Sequence, residues 1–473
     1  MLGPAALLAL TVVRLVVAGL TPLSPDEAYY WTWSRALAPG YLDHPFMVAV
    51  WIRLGTLLAG DDPLGVRLLA PLSAAAGTVL LRRAGDDLLP GSGLPAAVLF
   101  NATLVAAAGA VTMTPDTPLL FFWTAGLWAA GRLVATGHAR WWWAVGGAAG
   151  LALDSKYTAV LFGAGVAVWL LASRDARRWL RRPELWAGAV GAAVLFAPVL
   201  GWNAAHGWAS FVRQGGRAGD WAPREAVRFL SELAGGQAAL ATPLVLVLCA
   251  WGVWRAAARF RAGPGPALLA SLTLVPLAVF VQHAFGDRVQ ANWPAVLYPS
   301  ACICAGGLGR WWRTASALGF VLAVPVYLQA AAAPFPLPRR LDPTLIRLGG
   351  WDSLAREADR ARQAAGAAFL AGEPYGVEAE LAWHVPPGTP VLAADDRWKL
   401  LPLPRAVAPG PGLLVQSERR GTPPDPALWS GAEPVGRLVR SRGGVEAEAF
   451  RLYRVMPRPG TDAARLPTRE DPH

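Results

Sequence analysis

Long apolar runs fill the first two-thirds of the chain. A helix that crosses a bilayer needs about 20 mainly apolar residues. Runs of this kind lie at roughly 2–20, 64–81, 94–112, 117–135, 141–154, 157–172, 184–202, 236–254, 266–284, 291–309 and 314–332, which predicts eleven spans. The run at 46–59 is left out. It is short and carries Arg53 near its centre, which suits an interfacial helix better than a span. No small-residue cleavage site follows the first run, so it is expected to be a retained helix. No internal repeat is visible, which weakens an inverted-repeat transporter reading. After residue 333 the texture changes. Pro334, Pro336 and Pro338 mark a break, followed by short strand-like runs at 368–370, 391–393, 413–416, 435–439 and 445–455. Helix-like stretches occupy 352–365 and 377–384, and Arg442-Gly443-Gly444 reads as a hairpin turn. The predicted organisation is a transmembrane domain over 1–332 with its first outer loop at 21–63, a small soluble α/β domain over 333–456, and a disordered tail over 457–473.

Composition agrees with a multi-pass membrane protein: 54% of the 473 residues are hydrophobic and 16% charged. The net charge of +11 is carried almost wholly by arginine, since Lys156 and Lys399 are the only lysines. A basic balance often signals nucleic acid. Here the arginines cluster between apolar runs, so no nucleic-acid partner is expected. Arg82-Arg83, Arg132 with Arg140, Arg174 to Arg182, Arg255 to Arg261, and Arg310 with Arg313 fall at alternate connections. The positive-inside rule makes those connections cytoplasmic. The other connections then face outward, and they hold nearly every uncommon polar group. Cys249, Cys302 and Cys304 lie in apolar runs and offer neither a disulfide framework nor a zinc site.

The first outer loop is the richest stretch. Ser24-Pro25-Asp26-Glu27 precedes Tyr29, Tyr30, Trp31 and Trp33, and Asp43-His44-Pro45 closes the loop. Proline at 22 and 25 ends the preceding helix, and carboxylates suit the first turn of a new one. Asp26-Glu27 therefore reads either as a capping pair or as a reacting centre. The aromatics are expected to lay this helix flat in the headgroup belt. A partly desolvated carboxylate there would serve as a general base. His44 offers acid, base or ligand chemistry, or a simple turn. Asp116, between Pro115 and Pro118, reads as a helix cap that could also face the Asp26 site. Lys156, beside Tyr157, is unexpected in an arginine-rich chain, and a compact ammonium suits a phosphate; it equally suits a snorkelling position. Arg288 can fork onto phosphate, with Asn292 and Trp293 close by in sequence. Trp293 could stack on a sugar or anchor the interface. Asn203, His206, Trp208 and Arg213 add polar and aromatic surface on another outer loop, without an assignable role.

These residues carry a resemblance. Pro25-Asp26-Glu27-Ala28-Tyr29-Tyr30-Trp31, then Tyr41-Leu42-Asp43-His44-Pro45, resembles the first outer loop of the bacterial protein mannosyltransferase-like glycosyltransferases of family 39, relatives of the aminoarabinose transferases in the GT-C superfamily. Thr114-Pro115-Asp116, Ser155-Lys156-Tyr157 and Asn292-Trp293-Pro294 follow in that family's order. The resemblance covers about residues 1–310, and Glu373-Pro374-Tyr375 and Ala382-Trp383-His384 continue it loosely. It implies an all-α polytopic GT-C fold with a small extracytoplasmic α/β domain. It also implies inverting transfer of a sugar from a polyprenyl-phosphate donor at the outer face of the cytoplasmic membrane. Asp26 matches the essential aspartate, expected as base, and Glu27 its acidic neighbour. Tyr29, Tyr30, Asp43, His44, Asp116, Lys156, Tyr157, Arg288, Asn292 and Trp293 are the expected substrate-binding residues. Lys156 matches a motif lysine for the lipid phosphate, whereas Arg288 is assigned that task from its position. Where the aminoarabinose transferases carry Glu-Lys-Pro, this chain has Asp43-His44-Pro45, which argues against aminoarabinose as the sugar. No nucleotide loop is present. A divalent metal remains open, with Glu27, Asp43, His44 and Asp116 as conceivable ligands. A flippase for lipid-linked sugars is the alternative. It would place ionisable groups at mid-span, whereas here they cluster at the outer ends. A non-catalytic scaffold would not need the outer-side charges to converge.

Overall fold

The computed structural model describes residues 3–216, 221–406, 410–461, 463–469 and 471, so part of the outer loop 203–237 and parts of the tail lie outside the described residues. The chain divides into two compact units. One comprises Met1–Leu15, Pro39–Val48 and Leu69–Pro325; the other comprises Val16–Ala38, Ala49–Leu68 and Val326–His473.

The first unit is helical throughout. Each of the eleven expected apolar runs coincides with helix, but many are shorter or broken. Among the described residues, five helices are long and apolar enough to cross a membrane, and seven spans result if two bent helix pairs each count as one. The breaks have local causes. Thr103 caps a new short helix, Leu104–Gly109, by accepting from the Ala106 N–H, which divides the expected 94–112 span. Thr242, with φ of 68°, and Pro243 separate Ala226–Ala241 from Pro243–Ala258 at a bend of 107°. Helix packing is close where glycines meet. A Cβ on Gly146 would fall 2.0 Å from the Gly188 carbonyl oxygen, so both positions must be small for Trp141–Leu153 to lie against Pro183–Ala205. The core includes Trp123, Phe162 and Trp169, all but fully buried.

The second unit contains the α/β region expected near the C-terminus. Its main sheet runs β1 (Phe369–Glu373), β4 (Gly412–Ser417), β6 (Val445–Pro457), β5 (Trp429–Arg442). β1 and β4 are parallel and the other pairs antiparallel. The predicted hairpin joins β5 to β6 through Gly443 and Gly444, both at positive φ, which glycine adopts without penalty. A second sheet runs β2 (Leu392–Ala393), β7 (Ala463–Arg465), β3 (Arg405–Ala406). β7 lies in the stretch expected to be disordered. It is held because both its edges pair with strands and Ala464 is wholly buried.

The same unit takes in the first-loop helix, Pro25–Arg35, which the apolar pattern alone groups with the membrane helices. Its aromatics are buried in protein rather than exposed for lipid headgroups to cover. Tyr29, Trp31 and Trp33 are at most 1% exposed, because they pack into protein. Trp31 meets Trp383 edge-on at 4.9 Å, and Tyr29 meets Tyr375 at 4.7 Å and Trp398 at 5.1 Å. Aromatic edges meeting faces add about 0.5–1.5 kcal/mol per pair beyond area burial. The Tyr375–His384 helix is the partner, and Gly376 permits the approach: a Cβ there would lie 2.7 Å from that of Pro25.

Candidate functional site

Ser24 caps the first-loop helix, and Pro25 opens it. The Ser24 N–H donates to Glu27 and the Glu27 N–H donates back to the Ser24 hydroxyl, a reciprocal capping box. Glu27 also takes two points of the Arg67 guanidinium, Nε at 2.6 Å and Nη2 at 2.7 Å, with both side chains wholly buried. Arg67 in turn donates to the carbonyls of Ala18, Thr21 and Pro22. These are the orphan carbonyls at the end of the preceding helix, Pro4–Leu20, and its exit. Glu27 and Arg67 thus form the joint between two chain segments, and this carboxylate is spoken for.

Asp26 is different. Its side chain is 39% exposed. Oδ1 accepts from the Tyr375 hydroxyl at 2.7 Å, and Arg347 Nη1 stands 3.7 Å from Oδ2. The Tyr375 ring is itself fixed, with Tyr29 on one edge and the Arg397 guanidinium 4.0 Å from its centroid. Tyr30, 8% exposed, packs against Trp33. Sequence reasoning misses Arg67, Arg347, Tyr375 and Arg397 as members of this cluster. Signals for two of them are present in the chain: an arginine inside an apolar run, which requires a partner, and the Glu373-Pro374-Tyr375 motif.

In the first unit the remaining candidates fall into several contacts, one of which gathers Asp116, Lys156 and Asn292. Asp116, at the start of Asp116–Thr136, accepts from Lys156 Nζ and from Asn292 Nδ2, each at 2.7 Å. Three connections far apart in sequence meet on one carboxylate. Lys156 is 7% exposed and spends one of its three N–H donors on Asp116. Tyr157 donates to the Ser210 hydroxyl at 2.9 Å, and Ser210 donates to the Tyr41 carbonyl. Arg213 Nε pairs with Asp43 at 2.6 Å, and Gln214 donates to the Asp43 carbonyl. The short helix Ala209–Gly215 thereby clamps the 41–43 turn. The His44 carbonyl accepts from the Tyr41 N–H within the same turn. Arg288 pairs with Glu232 at 2.8 Å and is 62% exposed in its side chain. Trp293 lies 5.6 Å from His283 ring to ring. The sequence leaves Arg213 without a role; the Asp43 pair supplies one. Among the described residues, no three His, Cys, Asp or Glu side chains are grouped to hold a metal ion. Of the carboxylates considered as ligands, Glu27 pairs with Arg67, Asp43 with Arg213 and Asp116 with Lys156.

Comparison with known proteins bears out the resemblance read from the sequence. Residues 43–202 match the dolichyl-phosphate-mannose-protein mannosyltransferase family. The chain is 28% identical over 316 residues to the lipid A galacturonosyltransferase RgtD of Rhizobium johnstonii, an alignment spanning 64% of each protein. The fold is that of ArnT from Cupriavidus metallidurans. The apo structure superposes with a TM-score of 0.60 at 16% identity, covering 95% of this chain and 97% of that one. The structure bound to undecaprenyl phosphate gives 0.58 at 15% identity with the same coverage.

Proposed function

We propose that this GT-C-fold protein is an integral-membrane glycosyltransferase that uses a polyprenyl-phosphate-linked sugar. The transfer takes place at the outer face of the cytoplasmic membrane, with inversion at the anomeric carbon. Asp26 takes the proton of an acceptor hydroxyl as that oxygen attacks the anomeric carbon. The bond from that carbon to the phosphate oxygen breaks, and polyprenyl phosphate leaves with the bonding electrons. The observation that carries this reading is the division of labour within Asp26-Glu27. Glu27 is buried and saturated by Arg67, while Asp26 is held by one oxygen and presents the other. A base must be fixed in orientation and still reachable, and only Asp26 of the pair is both.

Lys156 serves the donor phosphate. Asp116 holds its ammonium in place and leaves two N–H donors for phosphate oxygens. The similarity to a lipid A galacturonosyltransferase makes a hexuronic acid donor the first to try, with a lipid as acceptor. The test uses purified full-length protein in detergent and undecaprenyl-phosphate-linked hexose, pentose and hexuronic acid, each labelled in the sugar. Release of undecaprenyl phosphate by the wild type, falling to a small residual rate in Asp26→Asn with donor binding retained, is the expected result. Intact donors throughout, together with movement of the same lipids across vesicles that Asp26→Asn leaves unchanged, would replace transfer with transport.

A further inference from the structure

We propose that the C-terminal α/β region is a working part of the catalytic site, with Tyr375 as a positioning residue for Asp26. The inference rests on Asp26 being the base of the proposed transfer. The two residues lie 349 positions apart, yet the Tyr375 hydroxyl donates to Asp26 Oδ1 at 2.7 Å. Each sits in the first turn of its own helix, Pro25–Arg35 and Tyr375–His384. The two helix starts are pressed together at Pro25 and Gly376, where there is no room for a Cβ on residue 376.

The hydroxyl is not what docks these helices. Docking is achieved by rings: Trp31 on Trp383, and Tyr29 on both Tyr375 and Trp398. Trp31, Trp383 and Trp398 are at most 2% exposed, so this contact buries far more surface than one polar bond commands. A phenylalanine at 375 would keep the ring against Tyr29 and under Arg397. What it would lose is the hydroxyl that donates to Asp26.

The consequence for chemistry is directional. A carboxylate in the first turn of a helix can rotate. Tyr375 ties Oδ1, which leaves Oδ2 as the proton acceptor. Arg347, with its side chain 64% exposed, stands 3.7 Å from that second oxygen, too far to engage it fully. Without the tyrosine, Arg347 is free to swing the carboxylate into a closer pair and away from an incoming hydroxyl. Asp26 would then still be present but misdirected.

The experiment measures steady-state kinetics of full-length Tyr375→Phe with whichever labelled undecaprenyl-phosphate sugar the wild type consumes. The expected result is a fall in kcat of about tenfold to a hundredfold, in the range that misplacement of a catalytic group produces. The donor KM and the melting temperature should stay at wild-type values. An unchanged kcat, or a loss that appears equally as a raised KM, overturns the proposal. Should the variant also melt earlier, residual turnover in Asp26→Asn decides. Adding Tyr375→Phe to Asp26→Asn should cost nothing more, because Tyr375 acts only through Asp26. A further equal loss there overturns it. A wild type inert towards every donor defeats the transferase reading itself. An active wild type with a severely impaired Asp26→Asn and an unimpaired Tyr375→Phe defeats only this inference.

Discussion

Glu27 and Arg67 form a two-point ion pair with both side chains wholly buried, 40 residues apart in the chain. Their remaining hydrogen-bonding capacity goes to the Ser24 cap and to three carbonyls. The pair therefore fixes where the first-loop helix starts, and with it where Asp26 stands. Removing one partner strands a buried charge, which typically costs about 3–5 kcal/mol. Glu27→Gln is expected to lower the melting temperature in detergent sharply and to reduce the folded yield. Glu27→Gln combined with Arg67→Met should recover part of the loss, since no lone charge is left. Full stability in Glu27→Gln alone, read by thermal unfolding, would show that the charge is compensated elsewhere.

Lys156 and Asp116 are paired at 2.7 Å with little exposure on either side. If the ammonium also serves the donor phosphate, Lys156→Gln should raise the donor KM about tenfold, equivalent to about 1.4 kcal/mol. The kcat should fall as well, because the departing phosphate gains negative charge and the ammonium holds it more strongly in the transition state. Steady-state kinetics over a range of donor concentration check this. A KM that stays at the wild-type value would assign the phosphate to another cation.

Glu380 lies on the Tyr375–His384 helix and is 1% exposed. Burial pushes its carboxyl up to about 7, offset in part by His384 and Arg440 and reinforced by Glu27. The ordinary value is 4.5, so between the two the folded state holds a proton that the unfolded state has released. Stability must then fall as pH rises through that window. Each pH unit over which the fold retains that proton changes stability by about 1.4 kcal/mol, so the expected loss between pH 5 and pH 7.5 is about 1–3 kcal/mol. Melting curves across that range should show a decline in wild type and a flatter profile in Glu380→Gln. Parallel profiles would assign the pH dependence to other groups.

Much of the architecture is legible in the chain. Apolar run length locates the helices, and glycine pairs with alternating apolar residues locate the hairpin and the C-terminal strands. The breaks at Thr103 and Thr242 are not legible, because a single hydroxyl or a single positive φ scarcely alters the hydropathy of a run. The strand at Ala463–Arg465 escapes notice because three residues carry no period; only pairing on both sides makes them a strand.

The sequence by itself determined that this is a membrane protein with its unusual charges at the ends of apolar runs, and it singled out Asp26, Glu27, Asp116 and Lys156. Those are properties of composition and local order, which a linear chain displays in full. Tertiary structure alone decided which of these groups are spent and which are available. Arg67 removes Glu27 from chemistry, Arg213 occupies Asp43, and Asp116 holds Lys156. Only the folded chain brings Tyr375 to Asp26 and turns an aromatic helix expected in lipid into one buried in protein. Neighbouring carboxylates such as Asp26 and Glu27 are nearly alike as a dipeptide. They become different because charge is neutralised and oriented by partners that lie far along the chain and near only in space.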